Sequence, residues 1–335
     1  MINVLKDSYG RVLDYLRVSI TDRCNLRCIY CMPPEGVQWE PHQNILTFEQ
    51  IIRIVKIASG LGIRKIRVTG GEPLLRKGAA SFLKELKTIH GIENVSLTTN
   101  GLLLGAYLDE AQNMGENVLP DLINISVDTL SREKFKKMTL CDNLHPQSIL
   151  PLIDRLLKKQ ITVKINCVPV QSFNDDEIVP LAELAKNKDI AVRFIELMPI
   201  GAASNLQFVS GTDVKQMIEK TFDTLIPIEG IHENGPAVYY KLAGFTGKIG
   251  FINAVTHGFC ETCNRLRLTS QGFLKLCLSN TLGLDLRTLI IAGADNEEIA
   301  GAFIQAAAKK PRFHTLSNIY NEAKQHSEGM FKIGG

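Results

Sequence analysis

Two groups of three cysteines stand out from the 335-residue chain. The first, Cys24, Cys28 and Cys31, puts three thiols on one short stretch directly after a strand-like run. A four-iron cluster takes four ligands, so three thiolates leave one iron open. An open iron can bind a small molecule that offers an amine and a carboxylate, such as the methionine end of S-adenosylmethionine (SAM). The tight spacing lets one loop wrap the cluster. A zinc knuckle completed by His42 is the competing reading.

The second group is Cys260, Cys263 and Cys277, again three thiols and not four. Its Cys-x2-Cys pair taken alone also fits zinc, with His257 as a fourth ligand, or a redox pair. Between these cysteines lie Arg265, Leu266 and Arg267, whose two guanidinium groups suit an anion-binding wall. The two remaining cysteines, Cys141 and Cys167, read as small buried apolar residues.

Val68-Thr69-Gly70-Gly71-Glu72-Pro73 closes another strand-like run. Paired glycines permit close backbone approach, and the carboxylate after them could accept from an amine. Side chains two apart in a strand share a face. By that parity Arg17, Ser19 and Thr21 share one, as do Lys65, Arg67 and Thr69. Ser96, Thr98 and Asn100 form another set, then Asn124, Ser126 and Asp128, then Lys164 and Asn166. A closed barrel fills its lumen with Val, Ile and Leu. Polar groups on strand after strand instead point to an open, hydrated lumen with a polar ligand, because burying them without partners is costly. The cations Arg17, Lys65, Arg67 and Lys164 suggest that the ligand is anionic, and arginine suits phosphate geometry.

The elements that must carry these residues alternate. Strand patterns at 12–20, 65–69, 93–98, 122–127, 161–167 and 190–197 are interleaved with helical patterns near 48–59, 78–89, 147–158 and 177–187. Thr47 is the expected cap of the first helix. This is an α/β class chain, with a parallel sheet covered by helices. Six units predict an open, partial (β/α)6 TIM-type barrel rather than a closed one. The pattern changes over 200–225, and a boundary at 205/206 divides the chain. Residues 1–205 form the barrel, and residues 206–335 form a C-terminal extension carrying the second trio. In the extension a helix is expected near 212–220, strands at 236–242 and 248–254, and helices near 283–291 and 295–308.

Apolar residues make up 45% and charged residues 22%, enough for a sizeable core. The net charge of +3 argues against a nucleic-acid-binding surface. The first residues carry no signal-peptide pattern, and no apolar run reaches the ~20 residues of a membrane helix. A cytoplasmic protein without membrane or nucleic-acid partners is expected. Eight cysteines are too few for a disulfide scaffold at this length.

The first trio resembles the radical SAM signature, in which a [4Fe-4S] cluster reductively cleaves SAM to a deoxyadenosyl radical. Gly70-Gly71-Glu72 resembles the superfamily motif that binds the SAM amino group. Over nearly the whole chain the sequence further resembles the GTP 3′,8-cyclase family of molybdenum cofactor biosynthesis. That likeness rests on Asp22-Arg23-Cys24-Asn25-Leu26-Arg27-Cys28, Thr98-Thr99-Asn100-Gly101, Ser126-Val127-Asp128, Arg193-Phe194-Ile195-Glu196 and Gly235-Pro236-Ala237. It extends through Phe259-Cys260-Glu261-Thr262-Cys263-Asn264-Arg265-Leu266-Arg267-Leu268 to the terminal Gly334-Gly335.

The resemblance implies a second [4Fe-4S] cluster on Cys260, Cys263 and Cys277, its open iron taking the guanine of GTP. It implies that Tyr30, Gly71, Ser126 and Met198 line the SAM site. Arg17, Arg67, Thr98, Lys164, Arg265, Leu266 and Arg267 would contact GTP, and the Gly334-Gly335 tail would reach into the active site. The implied reaction abstracts hydrogen from ribose C3′, joins that carbon to guanine C8, and yields 3′,8-cyclo-7,8-dihydro-GTP. A cyclic pyranopterin monophosphate synthase would consume the product. An electron donor is needed, and a homodimer is compatible with the family. Departures from the family pattern, at Phe208 and over 139–143, touch none of these residues. The alternatives are another radical SAM enzyme with an auxiliary cluster, such as a peptide modifier, or a non-catalytic iron–sulfur carrier or zinc-stabilised protein. A carrier needs neither Gly70-Gly71-Glu72 nor a polar lumen.

Overall fold

The computed structural model describes residues 4–115, 118–142, 146–229, 235–314 and 329–334. Six parallel strands form its centre: β1 (Tyr15–Ser19), β2 (Lys65–Thr69), β3 (Asn94–Thr99), β4 (Leu122–Ser126), β5 (Thr162–Cys167) and β6 (Ala191–Ile195). They pair in chain order, each joined to the next by a helical crossover. All six strands expected between 12 and 197 are present. The sequence patterns miss two helices, Leu104–Asn113 and Arg132–Thr139. The second is short and rich in charge, so its apolar stripe reduces to Phe135 and Met138.

The outer face of the strands supplies the core. Leu16, Val18, Ile66, Val68, Val95, Leu97, Ile123, Ile125, Val163, Ile165, Val192 and Phe194 are all buried in one cluster with the helices. Each contributes roughly 1.5–3 kcal/mol on removal from water. Helix Phe48–Gly60 turns Ile51, Ile52, Ile54 and Val55 onto this layer. It opens with a capping box in which Thr47 and Gln50 satisfy each other's backbone N–H groups.

Among the described residues the C-terminal stretch builds no sheet of its own. β9 (Lys248–Ile252) joins β6 in parallel, and β10 (Arg265–Leu268) joins β1 in parallel at the opposite edge. Antiparallel strands β8 (Val238–Lys241) and β7 (Ile226–Pro227) extend one side, and β11 (Phe273–Lys275) and β12 (Gly283–Asp285) the other. Among the described residues one twelve-stranded sheet results. The expected helix near 283–291 begins only at Leu286, because Gly283–Asp285 pairs as a strand with Asp285 as the helix N-cap. Cys167 is buried as expected, whereas Cys141 is only partly covered. Among the described residues no helix is long and apolar enough to cross a membrane.

Candidate active site

Strand register assembles the inner face. Arg267, Arg17, Arg67 and Ser96 stand side by side across β10, β1, β2 and β3. Thr98, Asn124 and Lys164 follow across β3, β4 and β5, and Asn166 meets Arg193 on β6. Inside this wall lies a cavity of about 290 Å³. Both cysteine trios line it, together with the arginines.

The first trio sits on a loop that rests against the end of β2. Gly71 N–H donates to Thr21 O, and Glu72 N–H to Arg23 O, both at 2.8 Å. A Cβ on Gly71 would meet Arg23 O at 2.3 Å, and one on Gly70 would meet Thr21 O at 2.6 Å. The two glycines are therefore required by close approach and not by a left-handed backbone. Glu72 does not have the role expected of it. Its side chain is fully buried and does not line the cavity. It accepts from Thr99 Oγ1 at 2.8 Å, Leu74 N–H at 3.0 Å and Asn100 N–H at 2.7 Å, which ties the ends of β2 and β3 together. Burial, against those hydrogen bonds, pushes its carboxyl up to about 7. Glu196 does similar work at the end of β6, accepting from the N–H groups of Gly211, Val255 and Thr256. The cavity wall near the first trio instead offers the backbone of Thr69, Gly70 and Gly71.

Burial pushes the Cys24 thiol up to about 11 and Cys31 to about 12, and raises Cys28 well above its usual range. The nearby carboxylates add to this, Glu72 for Cys24 and Asp128 for Cys28 and Cys31. Such thiols become thiolates only beside a strong cation, which an iron site supplies. Tyr30 donates to Asp128 Oδ2 at 2.5 Å, and Val168 N–H to Asp128 Oδ1 at 2.8 Å. Burial outweighs both bonds and raises Asp128 to about 6.

The second trio lies in a different field. His314 N–H donates to Cys260 Sγ at 3.2 Å, and Arg265 Nη2 lies 3.8 Å from Cys263 Sγ. The Cys277 sulfur is 3.5 Å from the Ser279 hydroxyl. Burial works to raise Cys263, but Arg265 and Lys310 outweigh it and bring the thiol down to about 6. Among the described residues no three Cys, His, Asp or Glu side chains close on a single metal ion. Six sulfurs facing one cavity in two sets of three fit a pair of clusters, each with three protein ligands.

Of the arginines in the wall, Arg67, Arg193 and Arg267 are buried and Arg17 and Arg265 half-buried, and they crowd one another. Arg67 meets the Ser96 hydroxyl and the Tyr15 ring. Arg193 donates to the amide oxygens of Asn124 and Asn166, Arg265 covers the Phe259 ring, and Arg267 donates to Gly334 O. Among the described residues none of these four pairs with a carboxylate. Burial first, then mutual repulsion, lowers Arg17 well below its usual range and Arg267 to about 10. A guanidinium does not give up its proton at these values, so the wall favours an anion. The Thr98 hydroxyl is buried in the same wall and meets no hydrogen-bond partner among the described residues.

All four residues expected at the SAM site, Tyr30, Gly71, Ser126 and Met198, line the cavity. Of those expected at GTP, Arg17, Arg67, Thr98, Arg265 and Arg267 line it. Two do not. Lys164 is buried with its ammonium 5.4 Å from the centre of the Tyr239 ring. Leu266 faces away, fully buried in the core, because strand parity opposes it to Arg265 and Arg267. Lys65 stands at the start of β2, where it pairs with Asp14 at 3.0 Å and does not line the cavity. Gly334 reaches the lumen, where a Cβ would meet Thr69 Cγ2 at 2.8 Å. Gly335 lies outside the described residues. The sequence assigns no role to Arg193, Lys310 or His314, which also line the cavity. Arg193 was within reach of the parity argument, as the inward residue between Ala191 and Ile195.

Residues 18–185 match the Radical SAM superfamily, and residues 190–316 match Molybdenum Cofactor Synthesis C. The chain is 40% identical over 331 residues to the GTP 3′,8-cyclase of Clostridium perfringens (strain 13 / Type A), covering 99% of this chain and 100% of the relative. The GTP 3′,8-cyclase of Moorella thermoacetica is 40% identical over 334 residues, again 99% and 100%. In fold the chain is similar to Streptococcus suis SuiB, with a TM-score of 0.59 at 14% identity over 93% of this chain and 69% of that one.

Proposed function

Because the chain belongs to the GTP 3′,8-cyclase family of radical SAM enzymes, we propose that GTP is cyclised in the cavity between the two cysteine trios. The enzyme converts GTP to 3′,8-cyclo-7,8-dihydro-GTP in molybdenum cofactor biosynthesis. One observation carries the assignment of the site: both trios and the arginine wall line the same cavity. Cys24, Cys28 and Cys31 would hold a [4Fe-4S] cluster that, with SAM, would supply the radical chemistry, and Cys260, Cys263 and Cys277 would hold a second [4Fe-4S] cluster beside the guanine.

The residues of the chain then divide the work. Tyr30, Ser126, Met198 and the backbone at Gly71 hold SAM. Asp128 fixes the Tyr30 ring through its 2.5 Å bond. Arg17, Arg67, Arg193, Arg265 and Arg267 hold the triphosphate, and the Thr98 hydroxyl gives it or the ribose a further contact. Charge-assisted bonds of this kind orient as well as bind. Met330 and Ile333 pack with Met198, Ile200 and Leu278, which brings the tail across the SAM side and helps exclude water.

The division at 205/206 gives residues 1–205 the first trio with Arg17, Arg67 and Arg193, and residues 206–335 the second trio with Arg265, Arg267 and the tail. The enzyme works in the cytoplasm with an external electron donor, as a monomer or homodimer, and hands its product to a cyclic pyranopterin monophosphate synthase. Anaerobic reconstitution followed by reductant, SAM and GTP tests the reading. Deoxyadenosine together with cyclised GTP is the expected outcome. SAM cleavage with GTP left unchanged would transfer the chain to another radical SAM reaction.

A further inference from the structure

Lys310 follows the helix Asn296–Ala308. A lysine in that place is ordinarily a solvated charge near the helix C-terminus. Here it is 3% exposed and lines the cavity. Its ammonium donates to Arg265 O at 2.9 Å and to Leu276 O at 2.5 Å. The first carbonyl lies just after Cys263 and the second just before Cys277, so one side chain pins the two arms of the second trio together. Among the described residues Lys310 forms no ion pair with a carboxylate. Arg11, another cation near it, is already paired with Asp7. The acidic groups that act on Lys310 are the thiols of Cys263 and Cys277.

A buried ammonium persists only where an opposite charge compensates it. We infer that Lys310 is the counter-ion of the cluster at Cys260, Cys263 and Cys277, setting the spacing of two of its ligands and raising its reduction potential. This deepens the reading of the second trio as a cluster site and depends on it. Cluster potentials follow net charge and the hydrogen bonds at the sulfurs. A fixed positive charge behind the sulfurs makes the added electron easier to hold. Lys310 acts through the cysteines and is a positioning residue.

The test compares full-length wild type with Lys310→Arg, Lys310→Gln and Lys310→Met after anaerobic reconstitution. Iron and sulfide are counted, and each cluster's potential is read by an EPR-monitored titration without SAM or GTP. Lys310→Gln can still donate to the carbonyls but carries no charge. It is expected to shift the second cluster to lower potential while the first stays unmoved. Lys310→Arg is expected to keep two clusters at potentials close to wild type, and Lys310→Met to lose half or more of the second. Loss of the second cluster from both neutral variants, with retention in Lys310→Arg, also supports the inference. An unchanged second potential in Lys310→Gln overturns it, as does loss of the cluster from all three variants. If wild type itself holds only one cluster, the second-trio reading fails first and Lys310 falls with it.

Discussion

Arg267 donates to the backbone carbonyl of Gly334 at 2.6 Å, across 67 positions of sequence. The bond joins the end of the chain to a wall that otherwise waits for an anion. Gly334 adopts a left-handed φ of 69° there. Just upstream, Phe331 stands edge-on to the single tryptophan, Trp39, with ring centres 6.1 Å apart. Docking of the tail therefore has an optical reporter.

Gly334→Ala is expected to undock the tail. A side chain at this φ costs about 1–2 kcal/mol, and the new methyl would stand 2.8 Å from Thr69 Cγ2. The ratio of docked to undocked tail should fall roughly tenfold, by the same arithmetic. Trp39 emission should shift to the red and product formation should drop in parallel. Unchanged emission with unchanged turnover would show that the tail is not held by this contact.

Gly71→Ala is expected to remove the first cluster selectively. The clash is with backbone atoms of Arg23 and Asp22, which cannot rotate away. Overpacking of this kind costs about 1–3 kcal/mol or more and would push the Cys24 loop off β2. Iron analysis and absorbance should report roughly half the wild-type iron, with the signal of the second site retained.

Arg67→Ala should weaken GTP binding without touching iron content. A hydrogen bond to a charged group is worth about 1.5–3 kcal/mol, which corresponds to roughly a 10- to 100-fold rise in Kd. Equilibrium dialysis at fixed salt measures it. Arg67→Lys should recover only part, since a single ammonium cannot present two parallel donors.

Glu72 makes the stability of the protein depend on pH. Its carboxyl lies near 7 when folded, against 4.5 for the free side chain. The folded state holds the proton more tightly, so this contribution is complete at low pH and is lost as pH rises through about 7. The span corresponds to about 3 kcal/mol. Denaturation of the iron-free protein at about pH 5 and about pH 8 should show wild type losing that much relative to Glu72→Gln. A pH-independent difference would show that folding leaves the Glu72 carboxyl at its ordinary value, against the upward shift.

The barrel was readable because its strands carry two signals at once. One face is Val, Ile and Leu, and the other is polar, so parity alone located Arg17, Arg67 and Thr98. The same parity places Leu266 in the core, although its neighbours on both sides are ligand candidates. Glu72 was misread because a carboxylate at a strand end looks the same whether it meets a ligand or three donors of its own chain. Lys164 and Lys310 were obscured for a related reason. A lysine's burial is decided by distant elements, here Tyr239 for one and the carbonyls of Arg265 and Leu276 for the other. Strand β10 escaped, unlike β9, because a short run such as Arg265–Leu268 becomes a strand only when a neighbour supplies the ladder.

That last feature bears on how the protein is made. The side of β1 opposite β2 is covered by β10, and Asn264 reaches back to Asp14 across 250 positions. At a synthesis rate of about 5–20 residues per second, the first strand waits roughly 10–50 seconds for that partner. Throughout that interval the ribosome presents a half-finished barrel with an open strand edge and the Cys24 loop already outside. The nascent chain is thus at its most vulnerable, to wrong pairing and to oxidation, before its last third has been translated.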